Sequence, residues 1–318
     1  MSMDAALTVE NLSLSLDRAN LVDGVGFSVA PGEVLALVGE SGCGKSVTAL
    51  AIMRLLAPAL RQTAGRVMLA GQEISALPER AMRDLRGRQM SMIFQEPQAA
   101  LDPLATVGTH IAEALRQPLR AVRAQVLQML VEVGISDPAR RIDQHPFELS
   151  GGMCQRVMIA CALISRPAVL LADEPTTALD VTIQAQILDL LRRLAAERGT
   201  AVLLITHDMG VVADIADRVA VMYAGRIAET GPTEQIFARP RHPYTALLLA
   251  SIPRLTDAPK SALAVIDGRV PTPAEFGPGC RFASRCPLAE PRCAASPPPL
   301  RDLGDGRRSA CFRAEEVA

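Results

Sequence analysis

The sequence predicts an open α/β fold, and two observations carry the prediction. Short, nearly continuous apolar runs (169–172, 201–205, 219–223) alternate with stretches of helical spacing (182–197, 209–216), the pattern of a parallel sheet buried on both faces. A glycine-rich loop, Gly39-Glu40-Ser41-Gly42-Cys43-Gly44-Lys45-Ser46, joins another apolar run, Val34-Leu35-Ala36-Leu37-Val38, to a helix-patterned stretch over 48–56. Strand, glycine loop and helix in that order form a phosphate cradle. The glycines let successive N–H groups face one point, and the helix adds its positive end. Lys45 supplies a charge for the outer phosphates, and the Ser46 hydroxyl a ligand for magnesium.

Earlier in the chain, 7–16 alternates apolar and polar residues and 22–29 does so loosely, which predicts an antiparallel flap before the Pro31-Gly32 turn. Short strands are expected at 67–69 and 90–94, with a helix and loop over 76–88. Residues 107–133 place Ile111, Leu115, Leu119, Val122, Val126 and Leu130 at helical spacing. A turn-rich piece (134–148) and a helix (152–165) follow, so 96–166 reads as an inserted helical subdomain. After residue 235 prolines crowd in, and four of the seven cysteines lie between Cys280 and Cys311.

Composition narrows the function. The 318 residues are 49% apolar with a formal net charge of -1 and 3% aromatics. That balance lacks the basic excess and the stacking surface expected of a nucleic-acid binder. Residues 1–7 carry no basic or apolar leader pattern, and no run reaches about 18 apolar residues, so neither a signal peptide nor a membrane span is expected. Cysteines in a reducing compartment point to metal or to packing rather than disulfides.

Further elements complete the nucleotide chemistry. Asp173 and Glu174 follow Leu170-Leu171-Ala172 at the C-terminal edge of a buried strand, where ligands collect in open α/β sheets. Asp173 is placed to hold magnesium, and Glu174 to orient and deprotonate the attacking water. His207, after the strand at 201–205, is placed to hydrogen-bond the terminal phosphate, and Gln95 to reach magnesium or that water. Ser150-Gly151-Gly152 opens a helix and forms a second anion site. Two nucleotide-binding chains facing head to tail would use both sites, with Ala178-Leu179-Asp180 at the seam.

In the tail, Cys280, Cys286, Cys293 and Cys311 occupy a stretch with little apolar content, which calls for a staple. Four thiolates suit zinc or a four-iron cluster. Intervals of five, six and seventeen residues lack the close pairs usual for structural zinc, and an unmetallated tail stays open.

Together these elements resemble an ATP-binding-cassette (ABC) ATPase subunit over roughly 7–235. Phe94-Gln95-Glu96-Pro97 with Leu101-Asp102-Pro103, Met158-Ile159-Ala160, His242-Pro243-Tyr244-Thr245-Ala246-Leu247, and the tail from Pro271-Thr272-Pro273 through Gly279-Cys280 are similar to the oligopeptide/dipeptide importer branch, which includes nickel importers. The resemblance implies a RecA-like phosphate-loop core in a nucleotide-binding domain (1–235) and an extension (236–318). It implies ATP and Mg2+ as cofactors, with Gly39, Ser41, Gly42, Gly44, Lys45, Ser46, Val47, Ser150, Gly151, Gly152 and Asp180 at the nucleotide. Gln95, Glu174 and His207 act in hydrolysis, and Ser46, Gln95 and Asp173 hold magnesium. Members with this tail resemble carriers of a [4Fe-4S] cluster, here on Cys280, Cys286, Cys293 and Cys311. Implied partners are two integral membrane permease subunits, a sister ATPase (or a second copy of this chain) and an extracytoplasmic solute-binding protein, at the cytoplasmic face of the inner membrane. Nickel chelates, opines or other small solutes are alternative cargoes, and a soluble cassette ATPase an alternative role. Two departures stand out. Leu16 sits near the place where the family usually carries an adenine-stacking aromatic, so that adenine stacking is either weak or supplied by Arg18, and Cys154 sits where a charged or polar residue is usual.

Overall fold

A computed structural model describes residues 5–17, 19–177, 179–252 and 265–317. In chain order it opens with β1 (Leu7–Leu16), β2 (Ala19–Val29) and β3 (Val34–Val38), then α1 (Lys45–Ile52), β4 (Leu60–Leu69) and β5 (Gln72–Glu73). Next come α2 (Glu79–Leu85), β6 (Met90–Ile93), α3 (Pro97–Ala100), α4 (Val107–Ala114), α5 (Leu119–Glu132), α6 (Pro138–Arg141) and α7 (Gly151–Leu163). The chain continues with β7 (Val169–Asp173), α8 (Val181–Arg198), β8 (Ala201–Thr206), α9 (Met209–Ile215), β9 (Arg218–Tyr223) and β10 (Arg226–Pro232). It closes with α10 (Thr233–Ala238), α11 (Pro243–Ala250), α12 (Pro291–Ala295), β11 (Arg301–Gly304) and β12 (Arg307–Ser309).

Two compact units emerge, one of residues up to Leu7, Val29–Val34 and Met68–Ile205, the other of Thr8–Ser28, Leu35–Val67 and Thr206 onwards. In the first, β6, β7 and β8 lie side by side and parallel, in register from Met90↔Val169 and Val169↔Ala201. Every residue of β7 and β8 is buried, which is why their sequences are continuous rather than alternating. From Pro97 to Leu163 this unit contains helices and turns without a strand, as their apolar spacing predicts. Thr106 caps α4 by accepting the Thr109 N–H, and Ser150 caps α7 by accepting the Met153 N–H at 3.3 Å.

In the second unit β3 runs parallel to β9, and β9, β10, β12 and β11 follow as antiparallel neighbours. The tail therefore extends a sheet edge. Its strands meet at Asp305-Gly306, both at positive φ (52° and 73°), the two-residue turn that matches the twist of a hairpin. Aromatic packing seats the tail: Tyr244 and Phe282 join the core of Val38, Val219, Val221 and Tyr223, with Tyr223 edge-on to Phe282 at 5.0 Å between ring centres.

Three expectations shift by a few residues. The loop helix begins at Lys45, because Gly44, at φ 102°, turns the chain directly into it. β4 extends back to Leu60 although 60–66 is polar and largely exposed; pairing rather than burial holds it, so no alternation announces it. Asp173 is the last residue of β7 rather than just past it.

Glu229 in β10 is fully buried and accepts the N–H groups of Arg241 (2.7 Å) and His242 (2.9 Å), tying the sheet to the start of the tail. Burial raises its carboxyl from 4.5 to about 7. The folded chain thus keeps a proton that the unfolded chain releases above its own pKa. This stabilising share is full below about pH 4.5 and is lost as pH rises through about 7. His242, lowered by burial from 6.5 to about 4, works oppositely and loses its share as pH falls. It is present in both wild type and Glu229→Gln, so it drops out of their difference. Thermal melts from about pH 5 to about pH 8 are expected to show the wild type losing Tm relative to Glu229→Gln as pH rises. A pH-independent difference contradicts the assignment.

Candidate active site

The chemistry-bearing residues form two groups, one in each unit. The phosphate loop belongs to the second. Gly39 has φ 152°, and a Cβ there would lie 2.1 Å from the Met222 carbonyl oxygen of β9. The strand that lines the loop thus leaves no room for a side chain. Lys45 is 6% exposed, and its Nζ donates to the carbonyls of Gly39 (2.7 Å) and Glu40 (3.0 Å). A phosphate oxygen is a stronger acceptor than either carbonyl, so the ammonium is positioned to exchange them for a polyphosphate. Ser46 and Val47 are half-buried in the first turn of α1, and Ser41 and Gly42 are exposed. Gly225, in the β9–β10 turn, donates its N–H to the Cys43 carbonyl at 2.9 Å. Cys43 itself is buried, which raises its thiol, and Cys154 is likewise raised by burial with its Sγ donating to the Pro146 carbonyl. Both are protonated packing groups rather than nucleophiles. His207 follows β8 directly and is exposed; Asp208 caps α9 by accepting the Gly210 and Val211 N–H groups.

In the first unit Asp173 is buried at the end of β7. Glu174 follows at φ 46°, a left-handed conformation that costs a carboxylate-bearing residue energy and turns it out of the strand. Its Oε2 accepts from Gln95 Nε2 (3.1 Å) and Thr177 Oγ1 (3.0 Å). Gln95 and Glu174 are separated by 79 residues, yet the structure brings them together. Gln155, buried, donates to the Pro175 carbonyl at 2.7 Å and braces the turn after the carboxylates. Gln155 and Thr177 were not anticipated, since a polar residue inside a helix or turn carries no distinctive spacing.

Ser150, Gly152 and Asp180 line one cavity with Met153, Arg156 and Leu179. Asp180 caps α8 by accepting the Ile183 N–H at 3.0 Å. A Cβ added at Gly151 would meet nothing within 4 Å, so the side of the helix start that it faces is open. Leu16 is 41% exposed; Arg18, the proposed adenine partner, and Ala178 lie outside the described residues.

The four tail cysteines converge. Cys280, Cys286, Cys293 and Cys311 line one small cavity, with Phe282, Leu288, Phe312 and Arg313 around them. The Arg313 N–H donates to Cys311 Sγ at 3.3 Å, the Ala283 N–H donates to the Cys280 carbonyl at 3.0 Å, and the backbone N–H groups of Phe282 and Leu288 lie beside the thiols of Cys280 and Cys286 and act to lower them. Burial raises these three thiols, Cys311 to about 11. Among the described residues no three His, Cys, Asp or Glu side chains converge as the ligands of a single metal ion.

Residues 22–177 match the ABC transporter family, and 228–293 match the oligopeptide/dipeptide transporter C-terminal region. The dipeptide transport ATP-binding protein DppD of Bacillus subtilis is 50% identical over 294 residues, covering 90% of this chain and 88% of the relative. A Brucella abortus relative whose name describes a peptide import ATP-binding protein is 50% identical with full coverage of both chains. The chain belongs to the ABC-transporter ATP-binding subunits. It falls in their oligopeptide/dipeptide branch and is an ATPase. A solved dimeric ATP-binding cassette in a post-hydrolysis state with ADP and Pi aligns with this ABC subunit at a TM-score of 0.65 and 26% identity, covering 71% of this chain and 98% of that one. No described helix of the subunit is long and apolar enough to cross a membrane.

Proposed function

We propose that this ABC subunit hydrolyses ATP to drive import of di- or oligopeptides. The observation that carries the reading is the pairing of an intact phosphate loop with a C-terminal region of the oligopeptide/dipeptide type. Lys45 and the N–H groups of the loop bind the phosphates; Ser46, Gln95 and Asp173 hold Mg2+; Glu174 takes the proton of the attacking water; and His207 steadies the terminal phosphate. The reading of Glu174 as base is supported by Gln95 and Thr177, which hold its carboxylate. Ser150, Gly151, Gly152 and Asp180 act on the nucleotide of a second cassette, a sister ATPase or another copy of this chain, so that ATP binding closes the pair and hydrolysis reopens it. Residues 1–235 form the nucleotide-binding domain and 236–318 its extension. Two membrane permeases and an extracytoplasmic binding protein complete the importer, with this chain at the cytoplasmic face of the membrane. The test is affinity purification of the tagged chain from membranes in mild detergent. Co-purification of two multispanning subunits supports the reading, and a chain recovered without any membrane partner overturns it.

The same tail carries a [4Fe-4S] cluster on Cys280, Cys286, Cys293 and Cys311. The donor set fits: four sulfurs surround one cavity, backbone N–H groups lie beside them, and N–H···S bonds stabilise and tune such clusters. A bound cluster supplies a redox-active cross-link. Protein purified without oxygen is expected to contain about four irons and four sulfides and a broad visible absorption; colourless, iron-free protein from that preparation contradicts it.

A further inference from the structure

Glu40 is the one acidic residue of the phosphate loop, and three of its groups are held. Its N–H donates to Tyr244 Oη at 2.8 Å, and its carbonyl accepts from Lys45 Nζ. Its carboxylate takes the fork of Arg285, Nη1 to Oε2 at 2.7 Å and Nη2 to Oε1 at 3.0 Å. The Arg285 side chain is 5% exposed. It also donates from Nε to the Asp267 carbonyl (2.7 Å), from Nη1 to Tyr223 Oη (3.2 Å) and from Nη2 to the Ile266 carbonyl (3.0 Å). Every N–H of the guanidinium is used, so the fork has one orientation.

A triphosphate is polyanionic, and an uncompensated carboxylate in its cradle opposes binding. We infer that Arg285 is a positioning residue for ATP: it cancels the Glu40 charge, fixes the loop backbone, and links the loop to the cysteine cavity. The link is short. Cys280 and Cys286 bracket the segment that carries Arg281 and Arg285, and both thiols line the cavity. Arg281 pairs with Asp23 at 2.8 Å and donates to the Ala224 carbonyl, beside the turn whose Gly225 N–H holds Cys43. A tail that loses its hold on this segment therefore releases the carboxylate at the phosphates.

The inference rests on 39–46 binding ATP. The test is the Kd of the full chain for a fluorescent N-methylanthraniloyl ATP with Mg2+. Arg285→Gln is expected to raise Kd about tenfold, the scale of a charge-assisted bidentate pair. Glu40→Gln combined with Arg285→Gln recovers most of the loss, which a merely structural defect would not. Should Arg285→Gln fail to fold, Arg285→Lys keeps the charge without the fork and is expected to raise Kd about threefold. Cys286→Ala is expected to raise Kd in the wild-type background but not in the double variant. An unchanged Kd in the Arg285 variants, or no recovery in the double variant, overturns the assignment. A Cys286→Ala effect that is absent from the wild-type background, or equal in both, overturns the link to the cavity. A wild type that binds no probe overturns the ATP reading itself.

Discussion

Glu174→Gln is expected to bind ATP normally and hydrolyse it at least about a hundredfold more slowly, the scale of a lost general base. The substitution keeps size and shape, so Thr177 still has an oxygen to bond, but the amide cannot take a proton from water. The left-handed backbone at Glu174 and the two donors on its Oε2 mean that the carboxylate is held before substrate arrives. The loss therefore falls on turnover and not on affinity. Phosphate release and nucleotide binding measured on the same preparation separate the two, and near-normal turnover removes Glu174 from the role of base.

Gly39→Ala is expected to weaken nucleotide binding severely, and Gly42→Ala to leave much of it. Both glycines sit at positive φ, 152° and 80°, yet only the Cβ at 39 meets backbone, 2.1 Å from the Met222 oxygen and 2.9 Å from Cys43 Sγ. At 42 nothing lies within 4 Å, so the cost is the left-handed penalty alone, roughly 1–2 kcal/mol. At 39 either the loop or β9 must move, and both belong to the phosphate cradle. A rise in Kd of at least about tenfold, worth about 1.4 kcal/mol, is expected for Gly39→Ala. Equal affinities for the two variants contradict the packing argument.

Much of this molecule is legible in its sequence because burial on two faces leaves apolar runs. The strands at 34–38, 169–173 and 201–206 announce themselves in that way, and the glycine loop marks where phosphate goes. Ser150 is legible as a helix cap, since an N-cap has a residue preference and a place, whereas the capping role of Asp180 emerges only in the structure. Polar strand 60–66 escapes because nothing about its exposed side chains repeats. The tail hairpin escapes although Asp305-Gly306 is a turn signal, its strands being short and charged. Arg285 escapes for a different reason. Its partner Glu40 lies 245 residues earlier, and an arginine beside a cysteine carries no message about a phosphate loop. The clustering of four unevenly spaced cysteines around one cavity is likewise a product of tertiary structure, in which Phe282 and Tyr244 anchor the tail to the sheet.

The central claim is that ATP hydrolysis by this chain moves peptide. The most direct measurement is ATP-dependent uptake of a labelled dipeptide into vesicles that contain the purified complex and its binding protein. Uptake is expected with the wild-type chain and none with Glu174→Gln. A wild-type complex that hydrolyses ATP but accumulates no peptide, or uptake that persists at the wild-type rate with Glu174→Gln, contradicts the account.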